Sequence, residues 1–301
     1  MAHNDPWELL NANFAFKSSG GSFLKIGNMA NNNSYFRALT IAGFDGSGGA
    51  GLQADLKTFS ALGCYGMTVV TAVTAQNTTG VKSIYSIPEK CIEEQLLAII
   101  DDIGIDALKI GMLHRSEIVH VIAKVLAKQS SAKIVLDPVM LAKSGDLLLS
   151  PDGVELMKSA LFPITTLLTP NLPEASVLLK RAITSIEQME EAAVELMGMG
   201  PKAVVIKGGH LANGSCSDCL CIRDSTPKIF WFSSPRFESK NVHGTGCTFS
   251  AAVTAYLCQG LEIRKAVERA KDYITGCIKA GASYQIGTGH GPVHHFYAQW
   301  K

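Results

Sequence analysis

Short apolar runs rich in β-branched residues alternate with longer periodic stretches from Phe36 to the end of the chain. The runs at 38–42, 68–73, 107–110, 133–136, 166–168 and 203–206 predict strands. The stretches at 52–62, 93–102, 116–128, 153–160 and 186–199 predict helices between them, and two long helices, 247–259 and 263–281, close the chain. Strand, helix, strand in that order requires right-handed crossovers and therefore a parallel sheet. Two alternating segments, 219–223 and 228–232, predict a β-hairpin inserted late. The expected fold is α/β: a doubly wound, mostly parallel sheet with helices on both faces and a small late hairpin.

Residues 1–35 break this pattern. They are rich in Asn, Ser and Gly, carry three successive asparagines (31–33) and show no sustained period, so they predict a flexible N-terminal extension. Met29 is a second candidate start. No internal repeat or linker divides residues 36–301, which predict a single domain.

Hydrophobic residues at 47% and charged residues at 18% allow a substantial core. The 27 Lys+Arg are balanced by 26 Asp+Glu, which argues against a nucleic-acid or membrane surface and for a small-molecule partner. No apolar run approaches the roughly 20 residues of a spanning helix, and the N-terminus lacks a secretory pattern. The eight cysteines are scattered through a long chain, unlike a disulfide framework. Reduced thiols in a cytoplasm are the expectation.

Ligands of open α/β sheets bind outside the carboxyl ends of the strands, so the turns there are where chemistry is sought. After the run 38–42 comes a segment with five glycines in nine residues, 43–51, flanked by the polar groups Asp45 and Asp55. It matches neither a Walker loop nor a dinucleotide fingerprint. It reads either as backbone approaching a ligand closely or as a tight turn. A stronger signal is Asn241-Val242-His243-Gly244-Thr245-Gly246-Cys247-Thr248, just before an apolar helix. Glycines at a helix N-terminus present free N–H groups and the positive end of the dipole, an anion hole for a transferring phosphoryl group. Cys247 falls in the first turn, where a thiol pKa is lowered, and is either a base for a substrate hydroxyl or a small buried residue.

Asn171 and Glu174 of Thr169-Pro170-Asn171-Leu172-Pro173-Glu174 read as a helix cap, or as an amide and a carboxylate that order a water-clad Mg²⁺ on nucleotide phosphates. Asp137 ends the run 133–136, and Lys207-Gly208-Gly209 ends the run 203–206, where a lysine makes a reasonable phosphate contact.

These segments, with LTIAGFDGSGGAGLQADLKTF, AQNTTGV, KIGML, VLDPVMLAKSGD, TPNLPEA, IKGGH, HGTGCTFSAA and GPVHHFYAQW, resemble the hydroxymethylpyrimidine/phosphomethylpyrimidine kinases of the ribokinase-like superfamily. The resemblance spans about Ala38 to Trp300. It implies ATP and Mg²⁺ as cofactors and two phosphoryl transfers in thiamine biosynthesis, to 4-amino-5-hydroxymethyl-2-methylpyrimidine and then to its monophosphate. It places Gln76, Gly43, Met112 and Asp55 on the substrate side. It places Lys207, Asn171, Glu174, Thr245 and Asp137 on the ATP phosphates, and Gly244, Gly246 and Cys247 at the catalytic anion hole. Cys247 occupies the position where most sugar kinases of the superfamily carry Asp. A homodimer is also implied. Phe44 and Gly46 depart from the family's usual residues.

Cys216, Cys219 and Cys221 invite a zinc reading, but no second pair lies at suitable spacing. His294-His295 fits a structural C-terminus better than a metal site. Two rivals stay open: a pyridoxal kinase of the same superfamily, and a catalytically silent binding protein.

Overall fold

The computed structural model describes residues 34–128, 132–141, 148–209 and 215–300. Its elements are β1 (Arg37–Asp45), α1 (Gly51–Ala61), β2 (Tyr65–Asn77), β3 (Gly80–Ser86), α2 (Glu89–Asp102), β4 (Ala107–Ile110), α3 (Ser116–Leu126) and β5 (Lys133–Leu136). There follow α4 (Pro151–Ala160), β6 (Leu167–Leu168), α5 (Leu172–Leu179), α6 (Ile186–Gly198), β7 (Ala203–Ile206), β8 (Ser215–Ile222), β9 (Lys228–Pro235), α7 (Thr245–Cys258) and α8 (Ile263–Gly281). One sheet runs in the order β3-β2-β1-β4-β5-β6-β7-β8-β9. Pairing is parallel from β2 through β7 and antiparallel at both edges.

Alternation along the central strands sends side chains to two cores. Leu39, Ile41, Leu108, Ile110, Ile134 and Leu136 pack against α2–α6 on one face. Ala38, Ala107 and Val135 face α1, α7 and α8 on the other, where small strand residues let the helices sit close. Every residue of α7 from Thr248 to Ala255 is buried, which is why its sequence is apolar nearly all round. By contrast α8 buries one stripe (Ala266, Val267, Ala270, Ile274, Cys277) together with Lys271, whose ammonium donates to the buried Asp218 carboxylate at 2.8 Å. Among the described residues no helix is long and apolar enough to cross a membrane.

The expected late hairpin is present as β8 and β9, and because β8 also pairs antiparallel with β7 it extends the main sheet. Two features differ from the sequence expectation. β3 was not foreseen, because an edge strand with half its residues in water carries little apolar signal. α5 is marked in the sequence only at its start, by Asn171 and Glu174; at eight residues it is too short to show a period. The N-terminal extension, apart from Ser34 and Tyr35, lies outside the described residues.

Candidate active site

The chain leaves β1 toward β2 on one side and enters β4 on the other, so the sheet's switch point lies between β1 and β4. A crevice opens at the carboxyl ends there. The loops after β1, β4, β5, β6 and β7 all reach this edge, and α7 begins beneath it.

Asp45, the last residue of β1, organises the first loop. Its buried carboxylate accepts from Ser47 N (2.9 Å), Ser47 Oγ (2.6 Å), Gly49 N (3.2 Å) and Ala50 N (2.8 Å). His243 Nε2 lies 3.0 Å away, and since a carboxylate only accepts, that nitrogen carries the proton. Burial alone would raise this carboxyl, but His243, Ser47 and the two backbone donors outweigh it and hold Asp45 well below the usual range. The loop is thereby tied to the segment that leads into α7.

That segment turns at Gly244, which caps α7 with φ +76° and no side-chain cap. A side chain at Gly244 would collide with the Gly49 carbonyl, so both the backbone angle and the contact require glycine. The Thr245 hydroxyl donates to Val242 O at 2.8 Å and closes the turn. The N–H groups of Gly246 and Cys247 belong to the first turn and have no intrahelical acceptor. Cys247 behaves differently from the expectation of a lowered pKa: burial pushes its thiol up, and Lys109 and the Gly51 N–H offset only part of this. A helix N-terminus lowers a thiol pKa only if water or cations outweigh desolvation, and here they do not.

The expected phosphate-side residues converge. Lys207 Nζ lies 2.9 Å from Asp137 Oδ1 and 3.3 Å from where a Cβ on Gly246 would stand. Thr169 (3.1 Å) and Ser250 (3.0 Å) also donate to Asp137. Burial opposes the Asp137 charge, and Lys207, Lys109 and Ser250 together hold the carboxyl below its ordinary value. Asn171 and Glu174 form a complete capping box on α5: Glu174 N donates to Asn171 Oδ1 and Asn171 N to Glu174 Oε2, both at 2.8 Å. The cap reading therefore holds, yet Glu174 still faces Lys207 and Asp137. Burial raises it to about 7 against the pull of Lys207.

Of the residues expected on the substrate side, Gly43 and Met112 touch: a Cβ on Gly43 would stand 2.6 Å from the Met112 methyl. The Met112 carbonyl accepts from Thr71 Oγ1 at 2.7 Å. Gln76 does not follow its strand as expected but lies in it. β2 runs on to Asn77, and Gln76 pairs with Val81 of β3 beyond a register shift. It stands on a hairpin that projects past the end of β1, half-buried. Asp55 is corrected outright. It is wholly buried between β1 and α1, bound to Lys109 Nζ (2.7 and 2.8 Å) and Thr40 Oγ1 (2.6 Å), and no pocket wall.

Residues the sequence reading passed over are Lys109, Thr169, Ser250 and the segment after α8. That segment bridges His243 at Pro292, and the His290 N–H donates to the Thr78 carbonyl at 2.8 Å. It helps enclose two adjoining cavities. One, of about 870 Å³, lies between Phe237, Asn241, Tyr284 and Ile286. The other, of about 290 Å³, lies between Ser47, Thr78, His243 and Pro292. In the sequence this segment is marked by GPVHHFYAQW and by its spaced glycines, Gly287, Gly289 and Gly291.

Comparison with known proteins follows the same outline. The hydroxymethylpyrimidine/phosphomethylpyrimidine kinase of Escherichia coli K12 is 47% identical over 264 residues, 87% of this chain and 98% of its own length. The crystal structure of a Clostridium difficile phosphomethylpyrimidine kinase superposes with TM-score 0.70 at 43% identity, over 79% of this chain and 97% of that one. The structure of Staphylococcus aureus pyridoxal kinase with AMP-PCP and pyridoxal superposes with TM-score 0.80 at 36% identity, over 88% and 95%. These are kinases of the ribokinase-like fold, and the phosphomethylpyrimidine kinase family model matches residues 45–294. With its fold, its glycine-turned helix start and its identity to these relatives in agreement, the chain belongs to the phosphomethylpyrimidine kinase family and is a phosphotransferase.

Proposed function

We propose that this protein transfers the γ-phosphoryl group of ATP to the hydroxymethyl group of 4-amino-5-hydroxymethyl-2-methylpyrimidine, and then phosphorylates the monophosphate to the diphosphate for thiamine biosynthesis. The observation that carries this is the convergence of Gly246, Cys247, Lys207 and Asp137 at the start of α7, beside the switch point. Phosphoryl transfer asks little covalent chemistry of a protein and much positioning and charge compensation. The first-turn N–H groups of α7 face the transferring group, and Lys207 binds the phosphates once it exchanges Asp137 for them. The larger cavity, where Phe237, Tyr284 and Ile286 stand among polar residues and lead to Val242, takes the nucleoside.

Gly43 and Met112 wall the pyrimidine, and Gln76 reads its edge by accepting from the exocyclic amine and donating to the ring nitrogen. Cys247, as thiolate, takes the hydroxyl proton while the oxygen attacks in line. Its raised pKa leaves the thiolate a minor form at neutrality, so positioning and the anion hole supply most of the acceleration.

Among the described residues no group of three or more His, Cys, Asp and Glu side chains converges to cage an ion. Asp137, Glu174 and Asn171 fit Mg²⁺ held through water and nucleotide phosphate instead. When bound, the ion would neutralise phosphate charge. We infer further that the protein works in the cytoplasm as a homodimer, as its resemblance implies.

A pyridoxal kinase is the second reading, favoured by the higher TM-score of the S. aureus structure. Incubation with the pyrimidine and ATP, followed by mass spectrometry, tests the proposal: monophosphate and then diphosphate should accumulate in order. No phosphorylated pyrimidine would refute it.

A further inference from the structure

We propose that Asp218 of β8 is a positioning residue for Lys207: its carboxylate, held against α8 by Lys271, fixes the turn that carries Lys207 to the start of α7. Val205 of β7 and Leu220 of β8 face the core shared with α7 and α8. Alternation puts Lys207, two residues past Val205, and Asp218, two before Leu220, on that same face. The β7–β8 ladder ends at Ile206 and Cys219. Beyond that rung the Gly208 N–H donates to a side chain, Asp218 Oδ1 at 3.0 Å, in place of a strand carbonyl. A side chain at Gly208 would collide with the Ser217 carbonyl, so only glycine brings this N–H to the carboxylate. One residue back, the Lys207 N–H donates to Pro170 O at 2.9 Å. The peptide units on both sides of Lys207 are thus pinned, one to the turn after β6 and the other to β8. From that fixed backbone the Lys207 side chain reaches Asp137 and lies beside Gly246.

The second Asp218 oxygen accepts from Lys271 Nζ of α8 at 2.8 Å, and both side chains are buried. A buried ion pair gains little over well-packed apolar side chains, so stability alone does not account for this one. What an apolar pair could not supply is an acceptor for the Gly208 N–H. Lys271 is the counter-ion of that acceptor: it compensates the carboxylate charge and ties the turn to α8, which packs in one core with α7. The role of Asp218 in catalysis rests on the reading of Lys207 as a phosphate contact.

Two paired variants of the full-length protein test this. Asp218→Leu/Lys271→Met removes the acceptor and leaves no buried charge. Asp218→Asn/Lys271→Met also removes both charges but keeps an oxygen for the Gly208 N–H. Affinity for AMP-PCP, by isothermal titration calorimetry, reads the phosphate site whatever the acceptor substrate, and ADP release with the hydroxymethylpyrimidine reads kcat. The leucine variant should bind AMP-PCP about tenfold more weakly and lose about tenfold in kcat, with the KM for the pyrimidine unchanged, because small misplacements of a positioned group are costly. The asparagine variant should restore most of both. In a Lys207→Met background the leucine variant should change neither quantity further, because its effect runs through Lys207. Losses that multiply there are the mark of general loosening and would overturn the proposal. So would a folded leucine variant that matches wild type, or an asparagine variant as impaired as the leucine one. If the leucine variant fails to fold by thermal melting, Asp218→Ala/Lys271→Met, smaller and equally without an acceptor, replaces it with the same expectation. Lys207→Met with unchanged AMP-PCP affinity and kcat would withdraw the phosphate reading of Lys207 and this role with it. An impaired Lys207→Met beside an unimpaired leucine variant would overturn this role alone.

Discussion

The ammonium of Lys207, at the end of β7, lies 2.9 Å from the carboxylate of Asp137, at the end of β5, and both abut Gly246 in the first turn of α7. Two strands that are not neighbours thus contribute one ion pair to the floor of the anion hole. Under the proposed function this pair keeps a cation where the ATP phosphates would arrive and gives it a partner until they do.

Lys207→Met should lower kcat by about 10²-fold and raise the KM for ATP, the scale of losing one donor to developing charge. It also strands Asp137, at a cost on the order of 3 kcal/mol of stability. Steady-state kinetics and thermal melts with and without ADP separate the two effects. Unchanged kcat and KM in a folded variant would remove Lys207 from the phosphate site.

Glu174 gives a pH prediction whose sign is fixed by its raised pKa. The folded state holds this proton up to about 7, the unfolded state only to the ordinary carboxylate value. Between those limits the folded form binds more protons, so its contribution is full at low pH and is lost as pH rises toward 7. Glu174→Gln keeps an acceptor for the Asn171 N–H but does not titrate. The stability of wild type relative to Glu174→Gln should therefore fall from pH 5 to pH 7.5, as read by urea melts. A difference independent of pH would show that Glu174 is an ordinary cap.

The order of strands and helices was legible because buried parallel strands leave apolar runs and crossover helices leave a period. The two carboxyl-edge signals that glycine wrote, at 43–51 and 244–247, were legible for the same kind of reason: only close backbone approach needs so many. What stayed hidden depends on pairing across the fold. Asp55 and Lys109 are 54 residues apart, and nothing local distinguishes a carboxylate that lines a pocket from one locked to a buried lysine. The thiol of Cys247 has the same lesson. Its place at a helix start is local, but the desolvation that raises it comes from α1, β4 and β5 closing around it. Edge strand β3 and short α5 lacked the length or the contrast to declare themselves.

Gln76 stands on the projecting β2–β3 hairpin, next to Asn77 and Thr78 of the smaller cavity. Gln76→Leu should reduce kcat/KM for the pyrimidine by more than about 10²-fold and leave ATP binding unaltered, because a site built on paired polar groups discriminates strongly once a partner is lost. Equal kcat/KM in the two proteins would place the pyrimidine elsewhere.

Removal of residues 1–34 should leave the melting temperature and kcat unchanged, since a segment rich in Asn, Ser and Gly and without a sustained apolar period builds no buried face to offset its ordering entropy. Tyr35–Lys301 forms a compact unit by itself. A drop in either quantity on truncation would assign the segment a structural or catalytic part.

The most direct test of the proposed activity is ADP release measured side by side with the hydroxymethylpyrimidine, its monophosphate and pyridoxal as acceptors. The Gln76 edge recognition and the closer identity to phosphomethylpyrimidine kinases predict a kcat/KM for both pyrimidines well above that for pyridoxal. A clear preference for pyridoxal, or ADP release that no acceptor stimulates, would contradict the account.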